Sequence, residues 1–436
     1  MKAVIMAGGR GTRISSMTSS VPKPMIPIEG KPVLEHEILC LREQGFTDLI
    51  ITVSHLSDVI MKYFGNGSRF GVKIQYFYEE LPLGNAGALF KIRECLEDDF
   101  LLINGDAVFF VDFERFVKYH KSKGGLVTLF THPNNHPYDS GLIVADENKC
   151  VNGWLTKEDE RPRWYKNRVN AGLHVVNPAI LDMTEIDRNT IGTTINGAVV
   201  KVDLDRQILK PLCGTGKMFC YDSPEYIKDM GTPERYEMVC RDYISGKLKA
   251  RNLLEKQKAI FLDRDGTINQ YVGFLRNIDD FQLLPNVTDA VRRINESGYL
   301  TIVVTNQPVL ARGEISVREL DLIHNKMETL LGNEGAFVDA IFYCPHHPDK
   351  GFDGEILELK IDCDCRKPKP GMLKRAAQEF NIDLENSWMI GDSESDILAG
   401  RAAGCRTVLL GKEEYGQNWS ADNLLDAVNL ILSAEQ

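Results

Sequence analysis

The sequence lacks an apolar run of the ~18–20 residues that a membrane-spanning helix needs. It also lacks an excess of positive charge, because 51 Lys and Arg residues stand against 62 Asp and Glu residues, for a net charge of −11. An acidic chain is a poor match for nucleic acid or an anionic membrane surface. The apolar start is too short for a signal peptide. We therefore expect a cytoplasmic protein that binds neither nucleic acid nor membranes.

What the sequence does have is 436 residues of ordinary globular composition, 43% hydrophobic and 26% charged, enough for two to three domains. Residues 1–240 hold 28 basic and 31 acidic residues, and residues 259–436 hold 17 and 29. The stretch 241–258 between them is basic, amphipathic and poor in strand formers. It predicts a helical linker between two domains, 1–240 and 259–436.

Short apolar runs alternate with helix-period segments in both halves of the sequence. Such alternation predicts βαβ units and mostly parallel sheets, and therefore two doubly wound α/β domains. The predicted strands are 3–6, 49–53, 72–77, 101–104 and 126–130, then 259–262, 300–305, 340–343, 388–390 and 406–410. The predicted helices are 33–44, 86–96 and 286–297.

A glycine-rich segment follows the first predicted strand, at the sheet edge where open α/β sheets bind ligands. Glycines let backbone amides approach phosphate oxygens, and Arg13 and Lys23 would add the charge that a triphosphate requires. An ordinary glycine turn is the alternative for this segment taken alone. The candidate phosphate-binding residues are Gly8, Gly9, Gly11 and Thr12.

Residues 7–13 (AGGRGTR) and 22–25 (PKPM) together resemble the signature of the sugar-nucleotide pyrophosphorylases. The resemblance continues in order through LGNAGA at 83–88, NGD at 104–106, WLTK at 154–157, NAG at 170–172 and DMGTPE at 229–234. It implies a Rossmann-like nucleotide-diphospho-sugar transferase fold for residues 1–240. The chain departs from the family at Asn85, where threonine is usual, and at Thr156, where glutamate is usual.

This resemblance also implies roles for single residues. Asp106 and Asp229 would hold Mg²⁺ against the phosphates, and Lys157 would bind the sugar phosphate. Arg13 and Lys23 would be fixed catalytic cations. Taken singly, Asp106 is better explained as a strand-end cap and Lys157 as a solvated surface lysine, and only their occurrence in order with the other motifs favours the transferase roles. The implied base and sugar contacts are Gly84, Asn85, Asn170 and Gly172.

In the second half, two aspartates separated by one residue follow strand 259–262. Asp263 could be a nucleophile and Asp265 a general acid or base, provided that Mg²⁺ and cations shield the phosphate. A pair of aspartates is a weak signal, but further polar and charged residues lie at the ends of two other predicted strands, 300–305 and 388–390, and before Pro368. These residues are Thr305, Asn306, Arg366, Lys367 and Asp392.

These elements resemble the haloacid dehalogenase (HAD) phosphatases. The resemblance implies that Asp263 forms an aspartyl-phosphate, that Asp265 protonates the leaving oxygen, and that Thr305 and Lys367 bind the phosphoryl group. Mg²⁺ would lie on Asp263, the main-chain carbonyl of Asp265, and Asp392. For Asp396, one helical turn further on, a role in orienting the site and a solvated helix position are equally plausible.

The sequence between Thr305 and Lys367 leaves no room for a large cap domain and instead contains a cysteine and histidine cluster. A C-x-H and a C-x-C pair supply four ligands, enough for a closed, structural Zn²⁺ site. His347 is an alternative to His346 as a ligand. The expected zinc ligands are Cys344, His346, Cys363 and Cys365.

Residues 261–269, 305–307, 311–313, 344–348 and 363–368 narrow the resemblance to the D-glycero-D-manno-heptose 1,7-bisphosphate 7-phosphatases, with the histidinol phosphatases close behind. The resemblance adds Asn306, Arg312 and Arg366 as expected substrate contacts. Residues 308–310 (PVL, where SGI is usual) and 271–277 depart from the family, so they bear on substrate choice.

Together the two resemblances imply a bifunctional enzyme that makes a nucleotide-activated heptose. The expected partners are heptose phosphates and a nucleoside triphosphate, with GTP favoured and a GDP-heptose for surface glycans as the product. One rival interpretation is a transferase for mannose or another hexose 1-phosphate, fused to a phosphatase of another substrate. Another rival makes one half a non-catalytic nucleotide-binding or scaffold module. The sequence leaves open whether the protein is a homo-oligomer.

Overall fold

A computed structural model describes residues 1–9, 14 and 21–434 of the chain. The described residues form two compact units. Unit 1 contains Met1–Thr131, Ile143–Trp154 and Asn170–Leu248, and unit 2 contains His132–Leu142, Leu155–Val169 and the chain from Lys249 onward. No helix in the described part of the chain is both long and apolar enough to span a bilayer.

The strands, in chain order, are β1 (Ala3–Met6), β2 (Pro27–Ile28), β3 (Lys31–Pro32), β4 (Asp48–Val53), β5 (Lys73–Tyr78), β6 (Phe100–Asn104), β7 (Ala107–Phe110), β8 (Val127–His132), β9 (Leu142–Ala145), β10 (Val151–Leu155), β11 (Val169–Val176), β12 (Thr194–Ile195), β13 (Ala198–Val199), β14 (Met218–Asp222), β15 (Tyr226–Asp229), β16 (Lys258–Leu262), β17 (Tyr299–Asn306), β18 (Ala340–Cys344), β19 (Trp388–Gly391), β20 (Arg406–Leu410) and β21 (Trp419–Ala421).

The helices, in chain order, are α1 (Val33–Glu43), α2 (Ser57–Phe64), α3 (Gly87–Lys91), α4 (Phe113–Lys123), α5 (Ala179–Asp182), α6 (Pro233–Ile244), α7 (Lys247–Ala250), α8 (Val287–Glu296), α9 (Pro308–Ala311), α10 (Val317–Asn333), α11 (Gly371–Phe380), α12 (Glu394–Ala403) and α13 (Leu424–Ser433).

Unit 1 is built on a mixed sheet of order β10-β9-β11-β6-β1-β4-β5, with β8 joining β11 and β14. The strands β6, β1, β4 and β5 are parallel, whereas β11 runs antiparallel to β6. Side chains alternate between the faces of β1, so Ala3 and Ile5 pack in one hydrophobic cluster and Val4 in another. Both faces of the sheet are therefore covered, and its carboxyl edge carries the polar residues.

Unit 2 has a wholly parallel sheet of order β18-β17-β16-β19-β20-β21. Its strands are buried on both faces, since Ile260 and Leu262 pack in one cluster and Phe261 in the other. Parallel strands bring all their carboxyl ends to one edge. The residues following β16 and β19 and those ending β17 therefore meet there.

Unit 2 also includes two segments that come from the first 240 residues. In the second segment, the backbone N–H of Asn167 donates to the buried Glu328 carboxylate of α10 at 2.6 Å, and that of Tyr165 donates to the Thr329 hydroxyl at 2.9 Å. Asn167 also bonds Asn134 of the first segment through both side-chain atoms. The two segments are thus hydrogen-bonded to each other and to α10.

Two predicted helices differ from the structure. The helix expected at 86–96 is instead α3 followed by a 3₁₀ turn, Arg93–Cys95. The apolar periodicity reflected which residues are buried and not a continuous helix. The linker helix expected at 241–258 is also wrong. Gly246 has φ +76° between α6 and α7, and the chain beyond α7 is not helical before β16 begins. Leu248 and Leu253 are buried in two different cores, so the stretch belongs to both units.

Candidate active sites

Unit 1 has a cavity of about 930 Å³ at the carboxyl edge of its sheet. It lies beside the ends of β1, β4 and β6, where ligands of open α/β sheets bind. Its lining includes the expected residues Gly8, Gly9, Lys23, Gly84, Asn85 and Asp106. The expected residues Gly11, Thr12 and Arg13 lie outside the described part of the chain.

A cation and a carboxylate pair inside this cavity, since buried Lys23 forms an ion pair with Asp106. The backbone N–H of Met230 donates to the Asp106 carbonyl at 3.0 Å, and β15 pairs with β7, which brings Asp229 alongside. Arg235 donates to both Asp229 oxygens at 2.8–2.9 Å. Although burial opposes it, this guanidinium holds the pKa of Asp229 below its usual value, so this carboxylate is anionic.

The loop at 83–88 owes its shape to close backbone packing. Gly84 has φ +86°, and a Cβ there would lie 2.3 Å from the Val202 carbonyl oxygen, so this position requires glycine. The Asn85 side chain, expected to bind the nucleotide, accepts a hydrogen bond from the Leu204 backbone at 2.7 Å. Its amide oxygen therefore holds the π-helical turn Leu204–Leu209 against the loop.

On the other side of the sheet edge, β11 supplies the expected sugar contacts. Asn170 accepts hydrogen bonds from the Gly172 backbone and from the buried His174 ring. Gly172 has φ +74° and packs directly on the Asn104 side chain. Lys157 is exposed in the turn that follows β10. Hydrogen bonds and close packing thus hold Asn170 and Gly172 in place, whereas the Lys157 side chain is exposed to solvent.

Glu79 is a cavity residue that the sequence analysis missed. Its carboxylate is buried and accepts a hydrogen bond from the Leu83 backbone at 3.2 Å, and burial raises its pKa. The available signal was an acidic residue directly after β5, at the same sheet edge as the glycine-rich turn.

In unit 2, three expected or suspected residues form a buried charged triad. The Lys367 ammonium lies 2.7 Å from Asp263 and 2.6 Å from Asp396, and it also donates to the Val304 carbonyl. Lys367 is 4% exposed and Asp396 0% exposed, so Asp396 is no solvated helix residue. Burial raises the pKa of Asp263 to about 7 against the opposing effect of Lys367. The two carboxylates raise the pKa of Lys367 in spite of its burial, so this lysine stays charged.

Three carboxylates converge beside this lysine. Oxygen atoms of Asp263, Asp392 and Asp396 lie within 4.8 Å of one another, a spacing that suits a divalent cation. Burial and the nearby Asp396 raise the pKa of Asp392 to about 6. Gly266 has φ +91°, and a Cβ there would lie 1.9 Å from the Asp392 carboxylate, so only glycine permits this approach.

Thr305 and Asn306 end β17 beside the triad, but they contact it differently. The Thr305 hydroxyl is buried and accepts a hydrogen bond from Gln307 at 2.9 Å. The Asn306 amide bonds both the N–H and the carbonyl of Lys367, at 3.0 and 3.1 Å. In the structure, Asn306 therefore holds the backbone of Lys367.

The two expected substrate arginines lie in neighbouring loops. The Arg312 guanidinium is stacked between the Phe274 and Phe352 rings, 4.0 and 4.2 Å from their centres. Arg366 donates to the His346 carbonyl at 3.3 Å. Arg312 thus ties the loop after the nucleophile to the loop that precedes Cys363, an arrangement the sequence did not predict.

The four expected zinc ligands come together. The three sulfurs are 3.2–3.5 Å apart, and His346 Nδ1 lies 3.3 Å from Cys365 and 3.8 Å from Cys344. His346, rather than the alternative His347, faces the sulfurs, because His347 Nδ1 instead accepts from the Asp349 backbone. Burial raises the pKa of the Cys344 thiol, so binding of a metal here would release a proton.

Comparison with known proteins decides the family of each half. Residues 2–244, more than half of the chain, match the nucleotidyl transferase family. The chain belongs to that family. Residues 364–428 match the HAD-hydrolase-like family. D-glycero-beta-D-manno-heptose-1,7-bisphosphate 7-phosphatase of Yersinia pestis is 40% identical over 181 residues, which are 40% of this chain and 94% of that protein.

A second relative, D-glycero-alpha-D-manno-heptose-1,7-bisphosphate 7-phosphatase of Photorhabdus laumondii, is 38% identical over 176 residues, 40% of this chain and 94% of the relative. The chain therefore also belongs to the heptose-bisphosphate phosphatase family. Among solved structures, HddC from Yersinia pseudotuberculosis complexed with GMP-PN is 25% identical, with a TM-score of 0.45, over 56% of this chain and 99% of that one. The expected combination of two doubly wound α/β folds, and of a transferase with a phosphatase, is confirmed.

Proposed function

We propose that the chain catalyses two consecutive steps of heptose activation. Residues 259–436 would remove the 7-phosphate of D-glycero-D-manno-heptose 1,7-bisphosphate, and residues 1–240 would transfer a nucleotidyl group, GMP by preference, to the resulting heptose 1-phosphate. The observation that carries this proposal is that two sites occur in one chain. Unit 2, which matches the phosphatases, holds the Asp263–Lys367–Asp396 triad, and unit 1, which matches the transferases, holds a cavity with Lys23 and Asp106.

In the phosphatase step, Asp263 attacks the phosphorus of the 7-phosphate while Lys367 neutralises the phosphoryl oxygens. The sugar oxygen leaves with a proton from Asp265, and an aspartyl-phosphate remains. Asp265 then takes a proton from the water that hydrolyses this intermediate. Thr305 stands at the end of β17 to bind the phosphoryl group.

In the transferase step, an oxygen of the sugar phosphate attacks the α-phosphorus and pyrophosphate leaves. Both reactants are anions, so the protein must position them and neutralise their charge. Lys23 inside the cavity and Lys157 are the described cations proposed for this, and Arg13, which lies outside the described residues, is proposed as a third. Glycine amides at residues 8 and 9 would cradle the triphosphate.

We propose that both active sites bind Mg²⁺, which would supply charge neutralisation on the phosphates. The three converging carboxylates of unit 2 provide the hard oxygen ligands this ion prefers, with Asp263, Asp392 and the Asp265 carbonyl as its proposed ligands. In unit 1 the proposed ligands are Asp106 and Asp229, the latter kept anionic by Arg235.

Residues Cys344, His346, Cys363 and Cys365 would hold a structural Zn²⁺, because four soft or borderline ligands close a tetrahedral site. We expect about one zinc per chain, and Cys363→Ser should lower it sharply. Loss of the metal should lower the free energy of unfolding of unit 2 by about 3 kcal/mol. This change corresponds to a fall of roughly 10 °C in its melting temperature. Metal analysis and calorimetry would measure both, with the exposed Cys95→Ser as the matched control. Unchanged zinc content in Cys363→Ser would contradict the assignment.

The full chain should be incubated with either anomer of heptose 1,7-bisphosphate, Mg²⁺ and one of the four nucleoside triphosphates. The expected result is release of phosphate and, with GTP, formation of GDP-heptose and pyrophosphate. A different favoured nucleotide would revise the base, and transfer to mannose 1-phosphate with equal efficiency would favour the rival hexose transferase. Phosphate release without any nucleotide sugar would refute the two-step proposal.

A further inference from the structure

Hydrogen-bond donors hold both oxygens of the Asp265 carboxylate, whose side chain remains 19% exposed. Arg264 Nη2 donates to both oxygens at 2.8–2.9 Å and its Nε donates to Oδ1 at 3.3 Å, and the arginine is itself 0% exposed. Asn269 donates to one oxygen and Gln307 to the other, each at 2.9 Å. A bidentate arginine fixes the plane of a carboxylate as well as its position. The orientation of Asp265 therefore depends on the orientation of Arg264.

The guanidinium of Arg264 is in turn held by a histidine from another element. His324 of α10 is 5% exposed, and its Nε2 lies 3.2 Å from Arg264 Nη1. Arginine can only donate, so this ring nitrogen accepts and the proton of the ring lies on Nδ1. Burial and the positive charge of Arg264 place the pKa of His324 well below its usual value. The ring also packs against Tyr343 of β18, with 5.8 Å between ring centres.

We propose that His324 is a positioning residue of the phosphatase, which acts through Arg264 to hold Asp265 in line with the leaving sugar oxygen. The inference rests on the acid–base role proposed for Asp265. Without the acceptor on His324, a buried N–H of Arg264 would lose its partner, and the guanidinium would rotate to find another. Such a rotation breaks the fork that fixes Asp265, and small displacements of a catalytic group are costly.

The chemistry of the leaving group separates this role from a merely structural one. In the first step a bond forms between Asp263 and phosphorus while the bond from phosphorus to the leaving oxygen breaks. A sugar alkoxide must receive the Asp265 proton as it leaves, whereas p-nitrophenolate leaves as a stable anion and needs none. Misplacement of Asp265 should therefore slow the first step for the sugar substrate and spare it for p-nitrophenyl phosphate.

The test compares His324→Leu, His324→Gln and wild type in the full chain, with rapid-quench measurement of the first turnover on heptose 1,7-bisphosphate and on p-nitrophenyl phosphate. We expect His324→Leu to slow phosphoenzyme formation about tenfold to hundredfold with the sugar and less than about threefold with the aryl phosphate. His324→Gln keeps an acceptor oxygen and should recover most of the rate. Transferase activity of the same samples should not change.

Equal losses on both substrates, or no loss on either, would overturn the proposal. Should His324→Leu fail to fold, Arg264→Lys keeps the charge but loses the fork, and it should show the same dependence on the leaving group. Asp265→Asn is the reference. If this variant spares the sugar substrate, the acid–base role of Asp265 is wrong. If Asp265→Asn slows the sugar substrate more than the aryl phosphate and His324→Leu does not, only the role proposed for His324 is wrong.

Discussion

Asp263→Asn is expected to abolish phosphate release from the bisphosphate while pyrophosphate formation from heptose 1-phosphate and GTP continues at the wild-type rate. The amide cannot form the covalent intermediate, so a loss on the order of 10⁴-fold or more is expected. Lys367 keeps Asp396 at 2.6 Å as a partner, so the substitution leaves no unpaired buried charge. Separate assays of phosphate and pyrophosphate would measure the two reactions.

A matched control for this variant is Asp289→Asn on α8, an exposed aspartate whose side chain is 54% accessible. It should leave both reactions unchanged. Loss of both reactions in Asp263→Asn, with the control intact, would contradict two independent active sites. Retained phosphate release would show that another residue is the nucleophile.

Asp106→Asn should have the converse effect, with a loss of about 10³-fold in nucleotide transfer and an unchanged phosphatase rate. The substitution removes one of the two carboxylates proposed to hold Mg²⁺ and the ion-pair partner of Lys23, and the stabilisation of developing charge by a metal is worth several kcal/mol. The measurement is pyrophosphate release at saturating heptose 1-phosphate, over a range of Mg²⁺ concentrations.

The corresponding control is Asp182→Asn on α5, a half-exposed aspartate paired with Arg93 and Arg188. Near-wild-type transfer by Asp106→Asn at every Mg²⁺ concentration would remove Asp106 from the metal site. A wild-type maximum reached only at higher Mg²⁺ would instead agree with a weakened site.

The positions of the strands whose ends carry the proposed chemistry could be predicted from the sequence. Parallel strands that are buried on both faces appear in the sequence as continuous apolar runs. β1 and β20 match the predicted strands residue for residue, and β16 and β19 differ by one residue at one end. The spacing of the cysteines and histidines likewise predicted that Cys344 and Cys363 lie close together, although a loop separates them in the sequence. In both cases the pattern lies in a short stretch of sequence, and the sheet or the metal-ligand cluster then places the patterned residues close together.

The parts that depend on packing between distant elements could not be read from the sequence. Asp396 looks like any acidic residue in the first turn of a helix, and its burial against Lys367 follows from where α12 packs. His324 has no motif around it, and its contact with Arg264 depends on how α10 packs against the residues that follow β16. The prediction from periodicity was also wrong at 241–258, because periodicity could not show that Leu248 and Leu253 are buried in separate cores.

The two early segments of unit 2 bear on whether this gene fusion can be reversed. The related phosphatases of Yersinia pestis and Photorhabdus laumondii align over 94% of their own length with only 40% of this chain. In this chain, a break just before residue 249 would remove the backbone N–H of Asn167 that donates to the buried Glu328 carboxylate, and the loss of a buried hydrogen bond is costly. Splitting the gene there would therefore remove the backbone hydrogen bonds that Asn167 and Tyr165 donate to Glu328 and Thr329 of α10. We therefore expect a phosphatase cut free at residue 249 to be less stable than the same unit in the full chain.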